Sequence, residues 1–297
     1  MAKFFGPLRA EWIKVIRNYR FNAFLIWILP IGMLAFYTFM ILGALILNAP
    51  PEELVYGCGG TWTGNVYSIW SFLSGSEGSI FGRLLPIAFF AIVFAGEYQW
   101  STWKNLIPLN RRMTLFLSKY IIGLLAMVSA ILITAPISAG GQALLCKIGG
   151  ASYGPALSIV VLKEFLAGLL QSSLIGILVL LMIMGFTFLS SVLTRSILGG
   201  FLGGFGLSML EVFLLSILIL LRNIFDNPGI MDLYRYTPAY NLANLHKIFF
   251  DGGSLLEEMI GLNINNSLGR SLAVLAAWIL IPAMLAAWKF TRQDITE

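Results

Sequence analysis

Charged residues are scarce in this sequence. They make up 11% of its 297 residues, whereas 58% are hydrophobic. Several apolar runs exceed the roughly 20 residues that cross a hydrocarbon core about 30 Å thick. The runs do not alternate as barrel strands do, and a bilayer leaves no water for unpaired peptide groups. The composition therefore excludes an ordinary water-soluble domain and predicts an all-α polytopic membrane protein.

Histidine is almost absent, and this limits the chemistry that the chain can perform. His246 is the single histidine and has no matching ligand set or hydrolase partners in the sequence. The glycine-rich stretch 199–206 is followed by Leu207, whereas a Walker loop needs a lysine there. Its glycines stand four apart instead, which lets another helix approach closely in lipid. We expect no catalytic residue, no metal site and no bound cofactor, so the chain itself is not expected to be an enzyme.

Six membrane-spanning helices are predicted within a single transmembrane domain, 1–297. The predicted loops are an inner loop, 96–118, which overlaps the end of the second span, and two outer loops, 48–82 and 222–270. The spans are 21–47, 84–103, 119–142, 166–193, 197–221 and 272–288.

Lysine and arginine are more frequent on the side of the two termini than on the other side. The positive-inside rule then predicts that both termini are cytoplasmic, in a plasma (inner) membrane. Anchoring at the inner leaflet explains the net charge of +5. The charge therefore gives no support to nucleic-acid binding, and membrane lipids are the expected partners.

Only two cysteines occur, Cys58 and Cys146, and this topology puts both on the outer side. A disulfide is chemically permitted in an oxidising compartment. The sequence gives no sign of their proximity, however, so two unpaired thiols near the membrane surface are the favoured interpretation.

Residues 3–20 form an amphipathic pattern before the first span. At 100° per residue the apolar side chains fall on one face and the basic ones on the rest. We expect a helix lying at the cytoplasmic interface, with or without a role beyond orientation. Its candidate contact residues are Trp12, Lys14, Arg17 and Arg20.

The segment 96–112 is polar and basic, and it is longer than two returning spans require. Two tryptophans, a glutamate and paired arginines indicate a surface that touches another protein. The candidate contact residues are Glu97, Tyr98, Trp100, Ser101, Thr102, Arg111 and Arg112.

Glu211 stands near the middle of the fifth predicted span, where a charge costs at least about 3 kcal/mol. It should face protein or water and not lipid. Two interpretations stay open. It is a polar point on a substrate path or proton relay, or it is a structural carboxyl bound to Ser208 or a neighbouring helix.

The outer loops carry their own patterns. Glycines and aromatic residues in 48–82 favour a compact cap. Apolar residues three and four apart in 234–250 predict a short helix at the outer interface.

Four stretches together resemble the membrane-spanning subunits of type-2 ATP-binding-cassette exporters. Residues 8–14 are similar to the connecting helix of that family, and residues 97–119 to its cytoplasmic loop, where Ser101 replaces a frequent glycine. Residues 188–196 resemble the junction of the fourth and fifth spans, and residues 288–295 the basic C-terminal end.

The resemblance implies a permease with a cytoplasmic coupling helix opened by Glu97 and with short re-entrant outer helices in 234–250. It implies a separate ATPase subunit that binds ATP and Mg, a second permease copy or homologue, and transport in the direction of export. Glu97, Tyr98 and Thr102 would enter a cleft on that ATPase. An amphipathic or lipid-like substrate, peptide or antibiotic is compatible with the aromatic outer loops.

Two other functions remain open on the sequence. One is an ion-coupled secondary carrier that uses Glu211 and Glu164 as proton sites. The other is a non-transporting membrane scaffold or immunity protein. The carrier is disfavoured by the long inner segment and by the lack of a visible inverted repeat.

Overall fold

The computed structural model describes residues 2–17, 22–46, 58–76, 79–250 and 266–294. Within these ranges the secondary structure is helical and contains no strand. In chain order the helices are α1 (Ala2–Arg17), α2 (Asn22–Ile46), α3 (Trp62–Ser74), α4 (Ile80–Gln99), α5 (Trp103–Leu106), α6 (Arg112–Ile148), α7 (Ile159–Thr194), α8 (Ile197–Phe225), a 3₁₀ helix (Pro228–Tyr236), α9 (Pro238–Phe250) and α10 (Leu268–Arg292).

Six of the described helices are long and apolar enough to cross a membrane, namely α2, α4, α6, α7, α8 and α10. The predicted all-α architecture with six spans is confirmed at this level. The helices α4 and α7 are the most buried of the six, whereas few residues of α2 and α8 are covered by the rest of the chain. The core of the bundle therefore lies around α4 and α7.

Four spans are longer than predicted, namely α6, α7, α8 and α10, and the first two of these are the longest described helices. The stretch 119–142 belongs to α6, which has 37 residues, and 166–193 belongs to α7, which has 36. Each helix is about 55 Å long and extends beyond a hydrocarbon core of about 30 Å. Local capping explains one of these starts, because the Ser158 side chain accepts a hydrogen bond from the Val161 amide at 3.2 Å.

The glycines of α8 pack against α7, as their spacing predicts. A Cβ atom on Gly203 would lie 2.6 Å from the Ser190 Cβ atom, and one on Gly204 would lie 3.0 Å from the Thr187 Cα atom. No side chain fits at either position without a shift of the neighbouring helix. The glycines thus allow the two backbones to approach closely.

The outer loop 48–82 contains α3, which packs against α6 and α7. The Trp70 indole is fully buried and donates a hydrogen bond to the Ser172 carbonyl oxygen at 2.9 Å. A packed outer helix agrees with the predicted cap, although residues 48–57 and 77–78 lie outside the described ranges.

Cys58 and Cys146 form a disulfide, with their Cα atoms 5.7 Å apart. The expectation of two unpaired thiols was therefore wrong. The bond joins the segment before α3 to the end of α6, across 88 residues of sequence. Packing of α3 on α6 brings the two residues together, and no local pattern in the sequence reports that packing.

The predicted helix within 234–250 is present as α9, preceded by the 3₁₀ helix. The buried Asn244 side chain donates hydrogen bonds to the Asn266 carbonyl oxygen and to the Ser271 hydroxyl, both at 2.9 Å. These bonds fasten α9 to the start of α10. Whether the segment is re-entrant stays a prediction, and residues 251–265 of this outer loop lie outside the described ranges.

Candidate functional site

The inner segment 96–112 is an ordered structure. Helix α4 ends at Gln99, the short helix α5 follows, and α6 begins at Arg112. Between α4 and α5 the backbone of Ser101 adopts a left-handed conformation with φ of 55°. This conformation costs a residue with a side chain about 1–2 kcal/mol, so the surrounding contacts must hold the turn.

Four charged side chains form an ion cluster where α1, α4 and α6 meet. The Glu97 Oε1 atom lies 2.8 Å from Lys14 Nζ and 2.9 Å from Lys119 Nζ. Lys119 Nζ also lies 3.0 Å from Glu11 Oε2, and it donates to the Val93 carbonyl oxygen at 2.9 Å. The Thr102 hydroxyl donates to Glu97 Oε2. Two carboxylates and two ammonium groups balance in charge, which makes burial of Glu11, Glu97 and Lys119 tolerable.

An aromatic cluster fixes α5 to the bundle. The Trp103 side chain is only 1% exposed, and its ring centroid lies 4.7 Å from that of Phe290 in α10. The Phe94 and Tyr98 rings of α4 each lie 5.7 Å from it. Lys119 Nζ stands 5.4 Å from the Trp103 centroid, within the range of a cation–π contact. The aromatic cluster therefore shares Lys119 with the ion cluster.

The end of α10 is tied to the same region. The Arg112 guanidinium donates to the carbonyl oxygens of Phe290 and Thr291, at 3.3 and 3.1 Å, and to that of Gln293. The Tyr98 hydroxyl and the Gln293 side-chain amide are hydrogen-bonded at 2.8 Å. Arg112 thus satisfies carbonyl groups that the helix end leaves without intrahelical partners.

The predicted contact residues of the inner segment separate into two groups. Glu97 is buried in the ion cluster, Tyr98 and Thr102 are partly buried, and Arg112 binds α10. The expectation that Glu97 itself enters a cleft on a partner does not fit this position, because its carboxylate is already bound within the chain. The exposed residues form what we term the inner edge: Trp100, Ser101, Lys104, Asn105, Pro108, Leu109 and Arg111. Leu109 is the most prominent apolar residue of this edge, with 80% of its surface exposed.

A helix is present over the described part of the predicted amphipathic segment, as α1, and it packs against α2 and α6 of the bundle. Val15 and Glu11 are buried, whereas Trp12 and Arg17 are exposed and Lys14 is about one-third exposed. Arg20, the fourth predicted residue, lies outside the described ranges.

Sequence reasoning missed Glu11, Lys119 and Trp103 as members of the site. One local signal existed, because Glu11 and Lys14 are three residues apart and form an i,i+3 pair at 3.3 Å. The partners of Lys119 are 22 and 108 residues away along the chain. Their meeting depends on the fold.

A second buried ion pair lies toward the other end of the bundle. Arg83 NH1 is 2.5 Å from Glu211 Oε2 and donates to the Ser208 hydroxyl at 3.0 Å, while Arg83 Nε donates to the Gly75 carbonyl oxygen. Glu211 therefore faces protein, as expected, and its partner is Arg83, which was not among the predicted partners. Arg83 lies in the first turn of α4 and is buried.

Tyr234 lies near this pair. Burial raises the pKa of Tyr234 to about 12, and the negative charge of Glu211 contributes to the increase. Within the described part of the chain, the Tyr234 hydroxyl and Glu211 Oε1 have no hydrogen-bond partner.

The described residues include no group of three or more histidine, cysteine, aspartate or glutamate side chains placed to hold a metal ion. No protein-family model matches the chain, and neither does any curated protein or solved structure. The assignment of a function therefore depends on the geometry and on the resemblance in sequence.

Proposed function

We propose that this chain is the permease subunit of an ATP-binding-cassette exporter of the type-2 class. In this proposal it lies in the plasma (inner) membrane with both termini in the cytoplasm. A separate ATPase subunit binds ATP and Mg and docks on the inner edge. A second copy of the permease, or a homologue, completes the transport path, since six spans are few for a complete one.

The observation that supports the proposal is that α5 has both an exposed face and a side chain, Trp103, buried in the bundle. The solvent-exposed face of α5 carries two residues of the inner edge, Lys104 and Asn105. On its buried face, the Trp103 ring packs against α4 and α10. Lys119 of α6 contacts that ring and also pairs with Glu11 of α1. A force applied to the inner edge would therefore reach four helices of the bundle.

Such a connection is what coupling requires. An ATPase can shift the conformation of a permease only through contacts that differ between the two states. The ion and aromatic clusters form a continuous set of packed contacts through which a movement of α5 can shift the other helices. Glu97 then serves by positioning α5 against α1 and α6, and the exposed residues of the inner edge contact the partner.

The Arg83–Glu211 pair argues against the alternative of an ion-coupled carrier. A proton site must release and rebind its proton, whereas Glu211 is held 2.5 Å from a buried guanidinium. Removing the charge of either member, as in Glu211→Gln, would leave the other as an unpaired buried charge, which is strongly unfavourable. Glu164, the second candidate proton site, is exposed on α7.

The direction of transport and the substrate class, an amphipathic or lipid-like molecule, peptide or antibiotic, are part of the proposal through the resemblance. The proposal is tested by purifying the complex from native membranes and measuring ATP hydrolysis after reconstitution. Wild type should co-purify with an ATPase whose activity responds to the permease. Glu97→Ala should abolish that response while the protein still inserts, whereas Glu164→Ala, at an exposed site on the other side, should not.

Two results would contradict the proposal. One is a permease that purifies from native membranes without any ATP-binding protein, as a scaffold or immunity protein would. The other is transport that follows the proton gradient, does not need ATP and disappears in Glu211→Gln, as a secondary carrier requires.

A further inference from the structure

Two adjoining cavities at the inner end of the bundle have different chemistry. The first, of about 230 Å³, lies beside the ion cluster and is lined in part by Lys14, Glu97 and Lys119. The second, of about 390 Å³, is an open groove between α4 and α8. Ile92 and Trp100 line both. The cavities therefore form one continuous surface with a charged end and an apolar end.

The groove is apolar along its length, with walls formed by Ala88, Ile92, Ile197, Leu198 and Phe201. Gln99 and Trp100 stand at its mouth, where α4 ends. From Ala88 to Gln99 the helix rises about 16 Å, at 1.5 Å per residue. The α4 wall is therefore about half as long as a hydrocarbon core of 30 Å is thick, whereas the α8 wall, from Ile197 to Phe201, rises about 6 Å. A tryptophan at the mouth fits the headgroup level, where aromatic side chains concentrate.

The charged end offers a cation to the interface. Within the ion cluster Glu11, Glu97 and Lys119 are buried, whereas the Lys14 side chain is 38% exposed. The Lys14 ammonium group donates to Glu11 and Glu97, and its third N–H is the donor of the cluster that can also reach a ligand. An ammonium group beside an apolar groove is complementary to a phosphate that carries acyl chains.

We propose that this surface is a binding site for a single membrane glycerophospholipid. One acyl chain lies in the groove between α4 and α8, and the headgroup phosphate is bound by Lys14. The lipid then lies between the helix that carries Glu97 and the helix that carries Glu211. The site does not depend on the proposed transport function, because a scaffold or a carrier with this fold would hold the same lipid.

The experiment uses the full chain in phosphatidylethanolamine vesicles that contain a trace of phosphatidylglycerol with a photoactivatable group at the end of one acyl chain. After illumination, mass spectrometry locates the labelled peptides. We expect labels around Ala88 and Phe201. Ala88→Phe and Leu198→Trp, which narrow the groove from its two walls, should each lower this labelling about tenfold, the factor expected when about two methylene groups lose their burial. Leu210→Trp, at an exposed position of α8 outside the groove, should leave it unchanged.

A separate set of variants tests the contact between Lys14 and the headgroup phosphate. Lys14→Gln should lower labelling of the groove peptides, Lys14→Arg should restore it, and Arg9→Gln, an exposed cation of the same helix, should have no effect. An unchanged thermal unfolding temperature in detergent shows that each variant is folded.

Three results would overturn the proposal. Labelling spread evenly over exposed α2, and insensitive to Ala88→Phe and Leu198→Trp, would mean annular lipid only. No labelling of groove peptides in wild type would mean that something else, such as a second copy of the chain, covers the groove. Equal labelling in folded Lys14→Gln and wild type would remove the headgroup assignment.

Discussion

The guanidinium of Arg83 lies 2.5 Å from the carboxylate of Glu211, although 128 residues separate them in sequence. Both side chains are almost completely buried, at the start of α4 and in the middle of α8. The pair therefore fastens two of the six spans to each other. It also accounts for an acidic residue within a strongly apolar helix.

Removing one member of this pair should cost more stability than removing both. Arg83→Met leaves Glu211 as an uncompensated buried charge, and we expect a loss of about 3–5 kcal/mol. The double variant Arg83→Met/Glu211→Leu should recover most of that loss, because an apolar pair has no charge to desolvate. Denaturant unfolding in mixed micelles measures the free energy of unfolding of the single and the double variant. A double variant as unstable as the single one would show that the pair stabilises the fold beyond charge compensation.

Trp103 should be the most sensitive residue of the inner segment. Its buried ring contacts Phe94, Tyr98 and Phe290, so Trp103→Ala should destabilise the protein by about 3–5 kcal/mol through the cavity it leaves. Trp288→Ala removes a largely exposed ring that stacks on Arg292, and should cost about 1 kcal/mol or less. Thermal unfolding in detergent compares the two. Similar losses in both variants would contradict the anchoring role of Trp103.

The contact between α7 and α8 should not tolerate a side chain at Gly204. Gly204→Leu meets the Thr187 backbone and should destabilise the bundle by about 1–3 kcal/mol. Gly206→Leu is the matched control, because a Cβ atom there meets nothing within 4 Å. Because leucine has a higher helix propensity than glycine, Gly206→Leu should leave the free energy of unfolding unchanged or raise it by up to about 1 kcal/mol. If the two leucine variants unfold at the same temperature, close packing at Gly204 is not what holds the helices together.

The disulfide gives a prediction about thiol reactivity as well as stability. In denaturant a maleimide should label neither Cys58 nor Cys146 before reduction and both after it; denaturant is needed because both side chains are buried in the fold. The double variant Cys58→Ser/Cys146→Ser should lose about 2–5 kcal/mol of stability, because the bond closes a long loop. Labelling without reductant would contradict the bond.

The six spans were predictable because each depends on a local property. A run of about 20 apolar residues identifies a span without knowledge of its neighbours. The same holds for α1 and α9, whose apolar residues recur at helical spacing. The ends of α6 and α7 were not predictable in this way, because mostly apolar residues, such as residues 159–165, continue both helices beyond the length of a membrane span.

The partners of the buried charges could not be predicted. Glu211 is recognisable from its cost in a membrane, but nothing local indicates Arg83 as its partner. Glu97 was selected as a surface contact because it stands in a polar segment, yet three elements of the fold enclose it. Cys58 and Cys146 are a similar case, since only the packing of α3 on α6 shows that they meet.

The central claim is that the inner edge docks an ATPase. A photo-cross-linking amino acid placed at Leu109 tests this claim in native membranes, with the same amino acid at Leu157 as the control. The two leucines are similarly exposed, at 80% and 83%, and lie at opposite ends of the bundle. We expect a cross-link from Leu109 to an ATP-binding subunit and none from Leu157. No ATP-binding protein at Leu109, or equal capture from both positions, would contradict it.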